Sequence, residues 1–263
     1  MRYPIAALGL GLFLASTTSL AAQGRRWHPE DDGAPYRRAS GVYVGGDFTY
    51  ARPQGSFQDN VKEAFGGSAH VVFQPGARGP VGLRLDAGIV NYGNERQRVM
   101  LSPTIGGRIT TELNTSNNIA FFGVGPQIGI PEGRFQPYVN PFIGVAYLFT
   151  QSSLSGEYDD YAFSTTNFDD ATLSYGARAG VYVPISRGSV PVSLDLGATY
   201  MNNGEAEYLL KGDIRDNPDG SITLFPSRSD TDLLSFHVGV SVGIPRGHGH
   251  RDDRGHGRRG RRH

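Results

Sequence analysis

Hydrophobic and polar residues alternate along this chain from Gly41 to Ile244. In the first run, Val42 and Val44 fall on one face while Tyr43 and Asp47 fall on the other. A period of two with one apolar face predicts a β-strand. Eight runs share this pattern, namely Gly41–Arg52, Ser68–Gln74, Val81–Ile89, Ala120–Ile130, Phe135–Phe149, Ala171–Ile185, Val190–Tyr200 and Leu234–Ile244.

The segments between these runs alternate between short and long. Tight Gly/Pro turns are predicted at 75–80, 131–134 and 186–189. Long polar connections are predicted at 53–67, 91–118, 151–170 and 201–232. Short turns on one side and long loops on the other are typical of outer-membrane barrels, whose turns lie in the periplasm. The segment 91–118 forms either an irregular loop or an extra hairpin above the membrane.

The composition of the two faces separates a membrane barrel from a soluble β-sandwich. The polar face is dominated by Gly, Ser and Thr with almost no Lys or Glu, which suits a narrow lumen better than a solvated surface. On the apolar face, aromatic residues fall near the strand ends, as expected for two interfacial girdles. Those beside the long loops are Phe48, Tyr50, Tyr147, Phe149, Tyr175, Tyr200 and Phe236, and those beside the turns are Phe73 and Phe135. The pattern predicts an all-β fold, a closed antiparallel transmembrane barrel of eight strands with both mature termini in the periplasm.

The ends of the chain differ from this middle part. Residues 1–22 combine Arg2, an apolar run and the small-residue site Ser19-Leu20-Ala21, which predicts a secretory signal peptide. Residues 23–40 are interpreted as a flexible periplasmic lead-in, 41–245 as the barrel, and 246–263 as a disordered Arg/His/Gly-rich periplasmic tail.

Charge and cysteine content exclude several classes of function. Lys plus Arg and Asp plus Glu both number 25, so no bulk charge indicates a nucleic-acid partner. The chain has no Cys, which excludes disulfides, cysteine-ligated zinc and thiol catalysis. No cofactor is predicted.

Two segments resemble the OmpA/OmpX-type family of small outer-membrane β-barrels. They are Gln136-Pro-Tyr-Val-Asn-Pro-Phe-Ile-Gly-Val-Ala-Tyr147 and His237-Val-Gly-Val-Ser-Val-Gly-Ile244. The second resembles the family's assembly signal, with His237 and Gly239 followed by Val242 and Ile244 where aromatics are usual. The resemblance implies location in the outer membrane and insertion by the barrel-assembly machinery, and it leaves activity open because this fold has many functions.

Candidate chemistry lies mainly in the lumen. Seven lumen-facing residues are expected at similar height, where buried charges need partners: Asp47, His70, Arg84, Asp86, Arg178, Asp195 and His237. We expect Arg178 to pair with Asp195, and Arg84 with Asp86 or Asp47, so that the layer plugs the barrel; a proton or ion path is the alternative. A Ser-His-Asp set around His237, with Ser235 or Ser241, is the alternative to a purely polar lumen, and no catalytic residue is assigned.

The loops and the tail carry weaker signals. The acidic stretches Glu157–Asp170 and Asp213–Gly220 could bind Ca²⁺, but Asn217-Pro-Asp-Gly220 favours a hairpin turn above the membrane. The tail histidines His248, His250, His256 and His263 could hold a transition metal loosely, although no metal site is assigned.

These observations lead to three hypotheses about function. The first is a non-enzymatic envelope anchor or surface-contact protein acting through its long loops. The second is a narrow channel or conduit for small molecules, and the third is an envelope lipid-modifying enzyme. The expected partners are outer-membrane lipid and lipopolysaccharide, the barrel-assembly machinery and a surface partner bound by the loops.

Overall fold

A computed structural model describes residues 41–75, 79–100, 110–155, 163–186, 190–219 and 221–244. The predicted signal peptide, lead-in and tail, and the 157–162 part of the first acidic stretch, lie outside the described residues. The elements are β1 (Gly41–Pro53), α1 (Phe57–Asn60), β2 (Ala64–Gln74), β3 (Val81–Met100), β4 (Thr110–Gly129), β5 (Gln136–Ser155), β6 (Phe163–Ser186), β7 (Val192–Asn203), β8 (Glu205–Tyr208), β9 (Ile214–Asp216), β10 (Ile222–Leu224), β11 (Ser227–Asp230) and β12 (Leu233–Ile244).

Eight of these strands form a closed antiparallel barrel. Strands β1 to β7 pair in sequence order, and β12 closes the ring by pairing with both β7 and β1. The closing pair runs from Val42 opposite Ile244 to Pro53 opposite Leu233. The predicted fold class is confirmed, and all eight predicted strands are present. No helix in the described part of the chain is long and apolar enough to cross a membrane.

The outer surface of the barrel is covered with large apolar side chains. Leu173 is 75% exposed and Ile143 is 69% exposed, values that burial in a protein core would not allow. Soluble monomers rarely expose a contiguous apolar patch of more than a few hundred Å², and here the patch runs around the barrel. Each barrel strand contributes, including Val44, Phe48, Phe65, Phe73, Leu83, Ile89, Phe122, Ile128, Ile143, Val145, Leu173, Tyr175, Leu196, Tyr200, Val238 and Val240.

Length and aromatic placement agree with a membrane span. Strand β12 has 12 residues, slightly more than the 9–11 that a tilted transmembrane strand requires. At the loop end, the rings of Tyr50 and Phe65 lie 5.1 Å apart on neighbouring strands, and Tyr147 stacks with Phe149 at 5.5 Å. Aromatic rings at this height are typical of the membrane–water interface.

The long connections contain more strand than the sequence predicted. Strands β3 and β4 remain paired from Asn91 opposite Asn118 to Met100 opposite Thr110, so the segment left open is a hairpin. Strands β5 and β6 likewise continue to Leu154 opposite Phe163. The predicted ends of these strands were wrong because the prediction followed the apolar face. Backbone pairing does not need an apolar face, and here it continues past the point where that face ends.

The last long connection forms two short hairpins. Strand β9 pairs with β10, with Asn217 N donating to the Ser221 carbonyl at 2.8 Å between them, and β8 pairs with β11. The expected hairpin is therefore present, with Ile214–Asp216 as its first strand and Ile222–Leu224 as its second. Strand β2 also begins four residues earlier than predicted, at Ala64.

We predict that a charge on the apolar surface will destabilise the barrel. Val240 lies in the middle of the outward face of β12 and is 42% exposed. Replacing it with arginine should lower the free energy of unfolding from lipid by about 2–4 kcal/mol, because the guanidinium would lie near the bilayer midplane. The same change at Ser164, which is exposed on the extended part of β6, should have little effect. Guanidinium titration of both variants in vesicles measures the difference, and equal stability of the two would contradict a lipid-facing surface.

Candidate functional site

The interior of the barrel holds one layer of charged side chains. All seven predicted lumen residues are buried, from Arg84 and Asp195 at 0% exposed to Asp86 at 8%. They come from β1, β2, β3, β6, β7 and β12. Each occupies one of the alternate strand positions whose side chains face the lumen. The structure therefore brings together residues that the sequence separates by up to 190 positions.

Arg84 lies at the centre of this layer. Its Nε donates to both carboxylate oxygens of Asp86, at 2.9 and 3.0 Å. Its Nη1 donates to the hydroxyl of Tyr182 at 2.7 Å and to Oε1 of Gln127 at 3.2 Å. Its guanidinium carbon also lies 5.5 Å from the ring centroid of Tyr138. The expected pairing of Arg84 with Asp86 is present, as a bifurcated hydrogen bond from the single Nε–H to both carboxylate oxygens.

Arg178 and Asp195 do not form the expected pair. Arg178 lies 3.5 Å from Asp47 and 3.5 Å from Asp86, whereas Asp195 lies 3.7 Å from Arg84. The reason is register: Tyr182 stands opposite Asp195, so Arg178 stands opposite Thr199, four residues farther along β7. A register shift between Pro184 and Ser186 contributes to this offset, which the length of the turn did not reveal.

The two histidines occupy different parts of the layer. His70 Nδ1 lies 3.2 Å from Asp47 Oδ2. His237 Nε2 lies 3.3 Å from the hydroxyl of Tyr138 and 3.8 Å from Asp195 Oδ1. Ser235 and Ser241 point inward from the same strand but are two and four residues away, roughly 7 Å or more at 3.3–3.4 Å per residue. The geometry does not assemble a Ser-His-Asp set at His237.

Sequence reasoning did not identify the aromatic members of the layer. Tyr138 and Tyr182 are buried and their rings stack at 4.6 Å. The Tyr138 hydroxyl donates to Asp195 Oδ1 at 2.8 Å, and Tyr182 donates to Gln127 at 3.2 Å. The alternation of the sequence already places both tyrosines on the lumen-facing side of their strands. They were not singled out because a tyrosine carries no charge that requires a partner.

A glycine on the neighbouring strand stands opposite most of the large layer residues. The cross-strand pairs are Asp47 with Gly239, His70 with Gly45, Arg84 with Gly125, Asp86 with Gly123, Tyr138 with Gly180, and His237 with Gly197. A Cβ at Gly45 would lie 2.4 Å from the His70 ring and 2.6 Å from the Val240 carbonyl oxygen. The interior of an eight-stranded barrel has room only for the side chains that fill it, and most of the large ones therefore lie opposite a glycine, which has no side chain.

A second barrier closes the loop end of the lumen. Helix α1 places Phe57 inside the mouth, where its ring packs edge-on against Tyr208 at 5.0 Å and Tyr92 at 5.7 Å. These rings continue into an apolar cluster that includes Val90, Ile119, Leu148, Leu209 and Leu233. We call this cluster the mouth plug.

Hydrogen bonds hold the mouth plug in place. Asn60 donates to the Tyr208 hydroxyl at 2.9 Å, and Tyr92 donates to the Leu209 carbonyl at 3.3 Å. Between the mouth plug and the charged layer lies a cavity of about 20 Å³ beside Asp86, Arg178 and Met201, which is room for about one water molecule.

Comparison with known proteins gives similarity in structure only. No family model and no curated protein matches the chain. The attachment invasion locus protein Ail of Yersinia pestis is 11% identical with a TM-score of 0.45, covering 79% of this chain and 100% of its own. Neisserial surface protein A is 15% identical with a TM-score of 0.40, covering 79% and 99%, and OprG of Pseudomonas aeruginosa is 14% identical with a TM-score of 0.37, covering 79% and 98%. The assignment of the barrel here comes from the strand pairing within this chain.

We predict that the glycine opposite His70 is required for packing. Gly45→Ala should destabilise the barrel by about 1–3 kcal/mol, because the new methyl group overlaps the imidazole and a backbone oxygen. Gly46→Ala is the matched control: it lies next in the chain, points outward, and its Cβ would meet nothing closer than 3.7 Å. The free energy of unfolding of both variants checks this, and an unchanged Gly45→Ala variant would show that the layer is loosely packed.

Proposed function

We propose that this protein is a non-enzymatic outer-membrane protein whose barrel anchors a β-sheet that contacts a partner at the cell surface. The observation that supports this most strongly is the continuation of β3, β4, β5 and β6 beyond the apolar band as one paired sheet. The part of β3 from Gly93 to Met100 extends the strand by about 25 Å beyond the apolar band, at a rise of ~3.3 Å per residue.

Side-chain contacts stiffen this projecting sheet. Thr115 lies 2.8 Å from Ser152, hydroxyl to hydroxyl, and Asn167 donates to Ser152 at 2.6 Å. Thr150 donates to Asn117 at 2.7 Å. A preordered surface loses little conformational entropy when it binds, so a sheet of this kind suits contact better than mobile loops would.

The channel hypothesis is weakened by the two barriers in the lumen. An ion would have to pass both the charged layer, whose guanidiniums and carboxylates are within contact distance of one another, and the apolar mouth plug. The cavity between them has room for about one water molecule. We therefore favour an anchor over a pore.

The enzyme hypothesis is not supported by the geometry around His237. Its ring contacts Tyr138 and Asp195 inside the barrel, away from the lipid that a lipid-modifying site would need to reach.

The strand that carries His237 supports a different role. We propose that β12 carries the signal for the barrel-assembly machinery, with His237 and Gly239 facing inward and Val242 and Ile244 facing outward. Outer-membrane lipid and lipopolysaccharide would then surround the apolar band.

The proposed orientation can be tested by labelling, because the chain has no native cysteine. Ser164→Cys, on the projecting sheet, should react with a membrane-impermeant maleimide on intact cells. Arg134→Cys, exposed at the turn between β4 and β5, should react only after the outer membrane is permeabilised. Labelling of Arg134→Cys alone on intact cells would mean that the barrel is inserted the other way round, and the surface-contact proposal would fail.

We also predict that the protein will show no steady conductance in planar bilayers. The double variant Phe57→Ala/Tyr208→Ala should remain closed, because it opens the mouth plug but leaves the charged layer intact. A stable conductance step from the unaltered protein would restore the channel hypothesis, and a step from the double variant alone would show that the charged layer does not block ions.

A further inference from the structure

The projecting sheet has two open edges. Beyond the apolar band it consists of β3, β4, β5 and β6 in that order, so β3 and β6 each have a neighbour on one side only. Strand β2 pairs with β3 only as far as Asn91, and β7 pairs with β6 only from Ser174 onward. Among the described residues, no backbone hydrogen bond from outside these four strands reaches Gly93–Met100 or Phe163–Asp169. An unpaired edge offers its N–H and C=O groups to another strand.

The last long connection contacts the projecting sheet through side chains. Gly212 N donates to the carboxylate of Glu95 at 3.1 Å, and Glu207 N donates to that of Asp170 at 2.8 Å. These contacts fix the short hairpins above the barrel without using the backbone groups of the two edges. Both edges therefore remain available to a strand from another molecule.

The two edges carry opposite charges on the outward face of the sheet. Arg96 on β3 is exposed and makes no ion pair with any residue that the structure describes. It stands opposite Asn114 on β4, where the even-numbered residues face away from the lumen. Asp169 is exposed on the outward side of β6, where it accepts a hydrogen bond from the hydroxyl of Tyr147. A cation on one edge thus has its counterpart in an anion on the other.

These two charges also lie at similar height above the end of the barrel with the short turns. Arg96 and Asp169 are about equally far along their strands from Val81 and Ile185, the exposed apolar residues at that end. Two copies that stand side by side in a membrane would therefore bring Arg96 of one copy close to Asp169 of the next.

Membrane orientation decides which edges can meet. Strand β3 runs from the turn end to the loop end of the barrel, and β6 runs the other way. Copies inserted in one membrane share one orientation, so β3 against β3 would be parallel and would bring Arg96 against Arg96. Pairing of β3 with β6 is antiparallel, which is slightly more stable per residue, and it brings unlike charges together. The charges therefore oppose contact between like edges and favour contact between unlike ones.

We propose that the partner of the projecting sheet is a second copy of this chain, with β3 of one copy paired to β6 of the next. This inference rests on the proposed function, in which the projecting sheet is a contact surface. A contact between unlike edges leaves one edge of each kind open at the ends of the assembly. Further copies can therefore add until a row of barrels closes into a ring.

Disulfide cross-linking tests this arrangement, because the chain has no native cysteine. The full-length variant Arg96→Cys/Asp169→Cys is produced in the outer membrane of a Gram-negative host and oxidised. Within one chain these positions are three strand spacings apart, ~14 Å, which is too far for a disulfide. Every disulfide is therefore intermolecular, and we expect a ladder of dimers, trimers and larger species on non-reducing gels.

Three control variants should remain monomeric under the same conditions. Arg96→Cys alone and Asp169→Cys alone form a disulfide only where like edges meet. Arg52→Cys/Asp169→Cys keeps the cysteine on β6 and moves the other to an exposed position on β1, away from the projecting sheet. Heat-modifiable migration on gels confirms that each variant is folded.

Charge reversal tests recognition between the edges without a cross-link. Copies labelled at Pro218→Cys, exposed beside the β9–β10 hairpin, with donor or acceptor dye report association by energy transfer on intact cells. Arg96→Glu should weaken association about fivefold, the upper range for a surface ion pair. Arg96→Glu/Asp169→Arg restores opposite charges and should restore the energy transfer.

Three results would overturn the inference. They are the absence of a ladder from the folded double variant, cross-linking of either single variant, and an equal ladder from the Arg52→Cys/Asp169→Cys control, which would mean random collision. The two proposals fail separately. Labelling of Ser164→Cys on intact cells without a ladder would overturn only the second copy as partner, whereas a ladder without that labelling would overturn only the location at the cell surface.

Discussion

The narrow interior of an eight-stranded barrel is the constraint on which the rest of this structure depends. Closing eight strands satisfies every backbone group in lipid, but it leaves room inside only for side chains. This chain places two arginines, three aspartates and two histidines in that space. They fit because glycines stand opposite most of them, so that no second side chain competes for the same space in the lumen. The many glycines on the polar faces of the strands are explained by this packing.

The charged layer in turn determines what the barrel can do. Its members contact one another across the lumen, from Arg84 to Tyr182 and from Arg178 to Asp47, and so they tie together strands that are not neighbours in the sheet. Such contacts stabilise the closed ring and occupy the path that ions would need. In the proposed function, the projecting sheet, which rests on the barrel, is the surface that contacts a partner.

Much of this fold could be predicted from the sequence, because a period of two assigns each residue to the lumen or to lipid. On this basis the sequence places Asp47, Arg84 and His237 inward, and all three side chains are buried in the structure. Their partners were not predictable in the same way. The pairing of Arg178 depends on a register shift at Pro184 and on reach across the lumen to Asp47, neither of which leaves a local signal.

The segments beyond the membrane were the least predictable. The hairpin of β3 and β4 has Thr, Ser and Asn on both faces, so no hydrophobic pattern distinguishes it from a loop. The mouth plug depends on Phe57 meeting Tyr208, which lies 151 residues later in the chain. A single phenylalanine in a polar connection gives no indication of where it packs.

The central claim is that one face of each strand meets lipid and the other meets a closed interior, and two neighbouring valines on β2 test it most directly. Val71 points outward, and Val72 points inward and is 0% exposed. In nanodiscs that contain lipid spin-labelled on its acyl chains, the methyl NMR signals of Val71 should broaden strongly while those of Val72 remain sharp. Equal broadening of both, or none at Val71, would contradict the account.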